Sequence, residues 1–491
     1  MRHPQGELQG SDEARGAITQ PVRRDALIIF LLLAFVFGYF YQDGGWNENS
    51  RYSLIFATVE QGTFKIDDYY NSSASATGDY ASYKGHIYSD KSIGPALLGV
   101  IFYEPIYQFN RLTHALSRET VKEILAFLVI GIPAAIAGSL MYILSYYLTR
   151  KRIRSYLATL AIALGTLYFP FAIVLFSHTL TAALLFSAFF MIFFLSESPS
   201  KKKNFYLFLI GFILGFALIS EYPAGIVIVV LVVYYFLVIW KRREYRNAAS
   251  VLLPALGGLI PIAMQLVYNG ICFGSDFSIG YQHLVNQFFS ASMSQGLEGI
   301  SWPRLSVMYD MTFQPTVGIF WESPVLLLAF AGAAVMFIQK LYRREAVVAG
   351  VSVLAYIIIL SGYFMWWGGY SVGPRQILPM LPFFLIFLIF VPPVLDWLFV
   401  PLTVVSIGQM VIAAASTVET PDTYAAHIGS LRFFQYSNIW SYDWKQLLNG
   451  YFNQNLGHSV LHLKDFASLI PLVVIFAALS IVFFWRGMKK A

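Results

Sequence analysis

Hydrophobic and polar positions in this chain do not alternate; they come in blocks. Apolar runs about as long as a bilayer core requires fall near 26–41, 123–148, 155–172, 179–195, 205–220, 224–240, 249–268, 323–338, 346–364, 377–392, 397–415 and 467–485. Short basic clusters separate many of them: Arg23-Arg24, Arg150-Lys151-Arg152 with Arg154, Lys201-Lys202-Lys203, Lys241-Arg242-Arg243, Lys340 with Arg343-Arg344, and Arg486 with Lys489-Lys490. Loops rich in lysine and arginine stay on the cytoplasmic side, so these clusters fix every second loop from residue 150 onward. The pattern predicts an all-α, polytopic integral membrane protein of about twelve transmembrane helices with both termini cytoplasmic.

One stretch tests that count. In GHIYSDKSIGPALLGVIFYEPIY, residues 85–107, an Asp-Lys pair stands against an apolar run interrupted by Gly94-Pro95 and Glu104-Pro105. The run 26–41 leaves the cytoplasm and 123–148 must return to it before Arg150, so a third crossing between them would invert every later basic loop. The segment is therefore expected to lie on or dip into the outer leaflet, with its two X-Pro steps disfavouring one straight helix. The same parity leaves long extracytoplasmic loops at about 43–121, 269–322 and 416–466, the first with juxtamembrane helices, a cytoplasmic tail over 1–24 and a single transmembrane domain over 25–491.

Composition agrees with a lipid solvent. Hydrophobic residues make up 57% of the 491 and charged residues only 12%, against roughly a quarter charged in a soluble domain. The net charge of +6 is accounted for by the loop clusters, which removes the reason to expect nucleic acid as a partner. Cys272 is the single cysteine, which excludes an internal disulfide and any multi-cysteine metal cluster. No internal repeat, phosphate-cradling glycine loop, HExxH or defensible Ser-His-Asp spacing is present.

The first outer loop is densest in polar groups: Asp43, Glu48, Arg51, Asp67, Asp68, Asp79, Lys84, His86, Asp90 and Lys91. Some are simply solvated. A carboxylate at the membrane surface can draw a proton from a hydroxyl while a second substrate stays in lipid. Glu48 suits that role by position, and equally suits a first-turn carboxylate favoured by a helix dipole. Asp90, beside Lys91, is the competing base, with Asp67, Asp68 and Asp79 behind it. Asp90 and His86 offer oxygen and nitrogen to a divalent metal, although two such residues without a third partner are a weak signal. Arg375 follows Gly368-Gly369 and Gly373-Pro374 at the outer end of a span, where a guanidinium can grip phosphate in two places. Lys91 could bind phosphate as a point charge; for both, snorkelling to the interface is the bland reading. His178, in Phe-Ser-His-Thr, suits a phosphate contact or a proton relay, with a plain backbone hydrogen bond as its bland counterpart. Trp366 and Trp367 suit an interfacial aromatic belt.

Three stretches carry a resemblance. NENSRYSLIFATVEQGTFKID (47–67) resembles the segment after the first span of the GT-C superfamily, membrane glycosyltransferases that use polyprenyl-phosphate sugars. YSDKSIGPALLGVIFYEPIY is similar to the juxtamembrane segment of aminoarabinose-to-lipid-A transferases and protein O-mannosyltransferase-like proteins of glycosyltransferase family 39. WWGGYSVGPRQILPMLPFF (366–384) resembles a late motif of bacterial members. Two departures matter: Asn47 replaces the first acid of the family's acidic pair, with one residue inserted before Arg51, and the first proline expected after Lys91 is absent.

The resemblance implies a GT-C-like fold and transfer of a sugar, with inversion, from a polyprenyl-phosphate donor to a lipid, glycan or protein acceptor on the extracytoplasmic face of a bacterial inner membrane. For that reaction the candidate catalytic base is Glu48 or, in its place, Asp90, and the candidate substrate-binding residues are Asn47, Arg51, Lys91, His178 and Arg375. The sequence identifies no definite cofactor, and a divalent metal is compatible with it. Two other classes compete: a transporter or flippase for a lipid-linked glycan, and a non-catalytic member of the fold, which Asn47 favours. Against the transporter, ionisable residues are scarce within the runs, and Glu221 and Asp396 fall at their ends.

Overall fold

A computed structural model describes residues 19–197, 202–421 and 433–488; Lys201, Lys489, Lys490 and most of the 1–24 tail lie outside the described residues. The chain is almost wholly helical. It opens with α1 (Gln20–Phe37), β1 (Phe40–Tyr41) and α2 (Trp46–Gln61), then the strands β2 (Tyr80–Tyr83) and β3 (His86–Ser89) and the helices α3 (Gly94–Thr113) and α4 (Arg118–Ala126). A π turn over Phe127–Gly131 joins α4 to α5 (Ile132–Thr149). There follow α6 (Arg152–Ala163), α7 (Ser177–Glu197), α8 (Lys203–Ser220), α9 (Gly225–Ile239) and α10 (Ala249–Phe273). The short helices α11 (Gln287–Met293), α12 (Leu305–Thr312) and α13 (Ile319–Glu322) precede α14 (Leu328–Ile338), α15 (Arg343–Leu360), α16 (Leu385–Leu388) and α17 (Asp396–Ala415). Near the end, β4 (Gln454–Asn455) pairs antiparallel with β1, and a last helix runs over Ile470–Met488.

Every apolar run expected to span coincides with helix, but not always with one continuous helix. Seven described helical stretches are long and apolar enough to cross a membrane: Arg118–Thr149, Ser177–Glu197, Lys203–Ser220, Tyr222–Ile239, Ala249–Phe273, Pro393–Ala415 and Asp465–Trp485. Pro324–Ile338 and Arg375–Leu388 are apolar but shorter. The run 155–172 breaks after Ala163 into turns and a 3-10 turn at Pro170–Ala172, and 377–392 begins as a 3-10 helix carrying Pro379 and Pro382. Irregular backbone survives at membrane depth when protein covers it, and residues 158 to 183 are buried throughout.

The stretch that posed the crossing question folds differently from expectation. Lys84 and Gly85, both at positive φ, turn β2 into β3, and α3 then continues unbroken to Thr113. Pro95 sits in the first turn of α3, where its missing N–H costs nothing, and Pro105 lies on the exposed face. The prolines therefore do not break the helix. α3 is not among the helices apolar enough to span. It packs on α2, where a side chain at Gly99 would collide with Ile55.

Packing follows membrane rules, with small residues at close crossings: a Cβ on Gly215 of α8 would stand 2.5 Å from the Gly258 carbonyl oxygen of α10. Ion pairs gather at the two ends of the bundle. Arg152–Asp25 and Arg154–Asp396 lie at one end, while Lys122–Asp43, Arg118–Glu60 and His178–Glu221 lie at the other. The 21-residue α7, about 30 Å long, separates the two sets.

Candidate active site

The first turn of α2 supplies the centre. Gly45 is its N-cap in an extended conformation, and Trp46, Asn47 and Glu48 follow. This puts Glu48 in the dipole-favoured first turn, yet its carboxylate is fully buried and no other residue donates a hydrogen bond to either oxygen. A Cβ on Gly45 would overlap Oε2 of Glu48 and Oε2 of Glu419 alike. The two carboxylates therefore converge on the space left by the missing side chain. Burial, the Glu419 charge and, less strongly, Asp43 push the Glu48 carboxyl well above the ordinary range, against the opposing pull of its own backbone N–H and of Arg375. Glu419 is raised too, by burial and Asp79, with Arg375 opposing.

One turn further along α2, Arg51 is buried and faces the start of α7. Its Nη1 donates to the Asn47 carbonyl at 3.0 Å and to the Asn47 side-chain oxygen, and Nη2 donates to Ser177 Oγ at 3.2 Å. Its Nε has no partner. Burial lowers its pKa, opposed by Tyr281, Asp90, Glu221 and Glu48. Asn47, where the family pattern has an acid, thus orients the guanidinium.

Arg375 arrives from the other half of the chain. Its guanidinium lies over the Phe176 ring, 4.6 Å from the centroid, and Nη1 donates to the Tyr370 carbonyl at 3.3 Å. Its Nε is likewise buried without a partner. The backbone allows this approach because Gly368 has φ of +90°, and a Cβ there would stand 2.9 Å from Arg375 Cγ. Beside Phe176, His178 hydrogen-bonds through Nδ1 to Glu221 Oε1 at 2.5 Å. A side-chain carboxylate, not a backbone group, is its partner.

Asp90 and Lys91 follow β3 and meet α2 at Ser50. The hairpin register pairs Tyr80 with Ser89, which sets Asp79 near Asp90. Lys91 Nζ is held by Asp79 at 2.8 Å and Asp90 at 3.2 Å, and is only 10% exposed. This is a buried three-member ion cluster, not a snorkelling lysine. Burial acts to lower the Lys91 pKa, but the two aspartates outweigh it and raise it. Burial and Asp79 raise Asp90 while Lys91 and Arg51 pull it down. Ser50 Oγ, on α2, shares a hydrogen bond with Ser89 Oγ at 2.8 Å and donates to Asp90 Oδ1 at 3.4 Å.

All seven residues singled out in the sequence border α2 and the start of α7, but in two environments. Glu48 and the Nε groups of Arg51 and Arg375 have unused hydrogen-bonding capacity; Asp90 and Lys91 are consumed by each other and Asp79. The metal suggestion fails on placement. His86 is bound to Asp67 at 2.8 Å and to Lys65 at 3.0 Å, while Asp90 is bound to Lys91. Among the described residues, no group of three or more His, Cys, Asp or Glu could hold a metal. Asp68 takes a hydrogen bond from Gln61 at 3.0 Å, away from the centre. Trp366 is buried in the core, so it is not a belt residue. Sequence reasoning missed Glu419, whose signal is an acid just past the end of the run 397–415, and the pairing of Glu221 with His178.

Residues 123–268 match the family model of dolichyl-phosphate-mannose-protein mannosyltransferase. The matched stretch contains His178 and Glu221, with α2 ahead of it and Arg375 beyond. No curated protein matches the chain. Among solved structures, ArnT from Cupriavidus metallidurans bound to undecaprenyl phosphate is similar at 13% identity over 94% of this chain and 75% of its own, with a TM-score of 0.48. Its apo form gives 14%, 96%, 76% and 0.46. The family match supports the GT-C resemblance and the coarse reading of an integral membrane glycosyltransferase.

Proposed function

We propose that this GT-C-type membrane protein transfers a sugar from a polyprenyl-phosphate donor to a hydroxyl acceptor, a lipid, glycan or protein, by a single inverting displacement. The reaction takes place at the extracytoplasmic end of the bundle, in a bacterial inner membrane with both termini in the cytoplasm. The observation that carries the reading is a fully buried carboxylate without donors, Glu48, close to two guanidiniums whose Nε–H groups are buried and unused. Buried polar groups are ordinarily satisfied, and an anionic phosphate would satisfy both guanidiniums. Glu48 takes the acceptor's proton, and Arg375 and Arg51 stabilise the charge growing on the leaving phosphate. Asn47 and Ser177 hold Arg51 in place, and His178 with Glu221 braces the Phe176 turn under Arg375. Asp90 and Lys91 support α2 from behind, since each already has a partner.

Purified protein in liposomes, given a labelled polyprenyl-phosphate sugar and an acceptor extract, should yield labelled acceptor. Movement of the donor between leaflets with no sugar transfer would instead identify a flippase. Donor binding without either would identify a non-catalytic member.

A further inference from the structure

The convergence of Glu48 and Glu419 on Gly45 points to more than a lone base. Both Oε2 atoms border the volume a single methyl group would fill on Gly45. Two carboxylates that close do not both ionise readily in a buried site. No other residue donates to either oxygen of Glu48, a costly state for a buried carboxylate. A proton on one of the pair removes both difficulties, because it cancels one charge and gives the other carboxylate a donor.

We infer that Glu48 and Glu419 hold one proton between them, and that Glu419 is the positioning residue that turns Glu48's other oxygen toward the acceptor hydroxyl. For its purpose, though not for the shared proton itself, this rests on the transferase reading above. Glu419 follows α17, far from α2 in sequence, so the pair also ties the late outer loop to the first one. The charged and titratable groups facing Glu48 are Asp43, Arg51, Arg375, Tyr41 and Tyr52; those facing Glu419 are Arg375 and Asp79. Arg375 faces both, which favours one negative charge on the pair. In the reaction the acceptor's O–H proton passes to Glu48 as its oxygen bonds to the anomeric carbon. The anomeric carbon–oxygen bond to phosphate breaks, and the phosphate keeps the electron pair. The pair is left with two protons and returns one to water.

The test is infrared titration of the full chain in nanodiscs, following the band of protonated carboxyl groups, in wild type and in Glu48→Gln and Glu419→Gln. Difference spectra isolate the pair from other buried acids. The wild-type pair should release its last proton at higher pH than the remaining carboxyl does in either variant, because only in the wild type must the second charge form beside the first. Equal midpoints in wild type and both variants would overturn the shared proton. Donor affinity gives a second readout: it should fall with rising pH as the wild-type pair becomes a dianion facing an anionic phosphate, and in Glu419→Gln that fall should move to the lower pH at which Glu48 ionises alone. An unchanged pH profile in Glu419→Gln would reduce Glu419 to a structural residue and overturn its positioning role. A wild type that neither binds donor nor transfers sugar would sink the transferase reading and leave the titration midpoints to decide the shared proton.

Discussion

Gly45→Ala offers a clean perturbation of the site because its backbone effect is small. Gly45 has φ −73° and ψ 145°, a conformation alanine adopts freely, and alanine at an N-cap costs only about 0.5–1 kcal/mol. The steric effect is larger. The added Cβ would overlap both Oε2 atoms and stand 2.5 Å from Glu419 Cδ, where real Cβ contacts keep at least 3.0 Å. The carboxylates must therefore separate or retreat by roughly 0.5–1 Å, and displacement of that order from productive geometry costs on the order of a hundredfold in rate. The assay is sugar transfer from a labelled polyprenyl-phosphate donor, with thermal unfolding measured alongside. Gly408→Ala, at a position with nothing within 4 Å, controls for glycine replacement in general. Wild-type turnover in a folded Gly45→Ala protein would refute the claim that these carboxylates face each other across Gly45 and do the chemistry.

Other expectations follow from the same geometry. Arg375→Lys keeps the charge but loses the planar fork, so donor affinity should fall, and fall further in Arg375→Ala; unchanged donor titrations in both would remove Arg375 from the phosphate site. Lys91→Met strands Asp79 and Asp90 in a buried setting and should destabilise the fold by about 3–5 kcal/mol, read as a lowered unfolding temperature; a normal unfolding temperature with weakened donor binding would return Lys91 to the phosphate site. Cysteines at Lys84 and Thr120, which flank α3 outside the Lys91 cluster, should be labelled from the outer side and one at Lys202 from the inner side; opposite accessibility at Lys84 and Thr120 would mean that α3 crosses the membrane.

Much of the architecture was legible because the bilayer imposes it. Twelve apolar runs and their basic clusters mark where helices lie, since lipid tolerates few alternatives. What the runs do not reveal is continuity: 155–172 and 377–392 are covered by protein and so need not be single helices, and α3 absorbs Pro105 on its exposed face. The site was half legible. Glu48, Arg51 and Arg375 could be named from residue type and place, but their environments depend on contacts distant in sequence. Lys91 looks available for phosphate in the sequence, but the β2–β3 register sets Asp79 against it, and Lys84-Gly85 lacks the Asn-Gly or Asp-Gly form that marks a hairpin in sequence. Glu419 has no spacing relation to Glu48, so only the closed fold brings it to Gly45.

The most direct measurement is turnover and donor affinity in Glu48→Gln beside Asp90→Asn. Glutamine keeps the size of Glu48 and removes its basicity, so turnover should drop on the order of a hundredfold or more while the donor still binds, and Asp90→Asn should retain far more activity. Near-wild-type turnover in Glu48→Gln, with Asp90→Asn inactive though folded, would contradict the account and move the base to the Lys91 cluster.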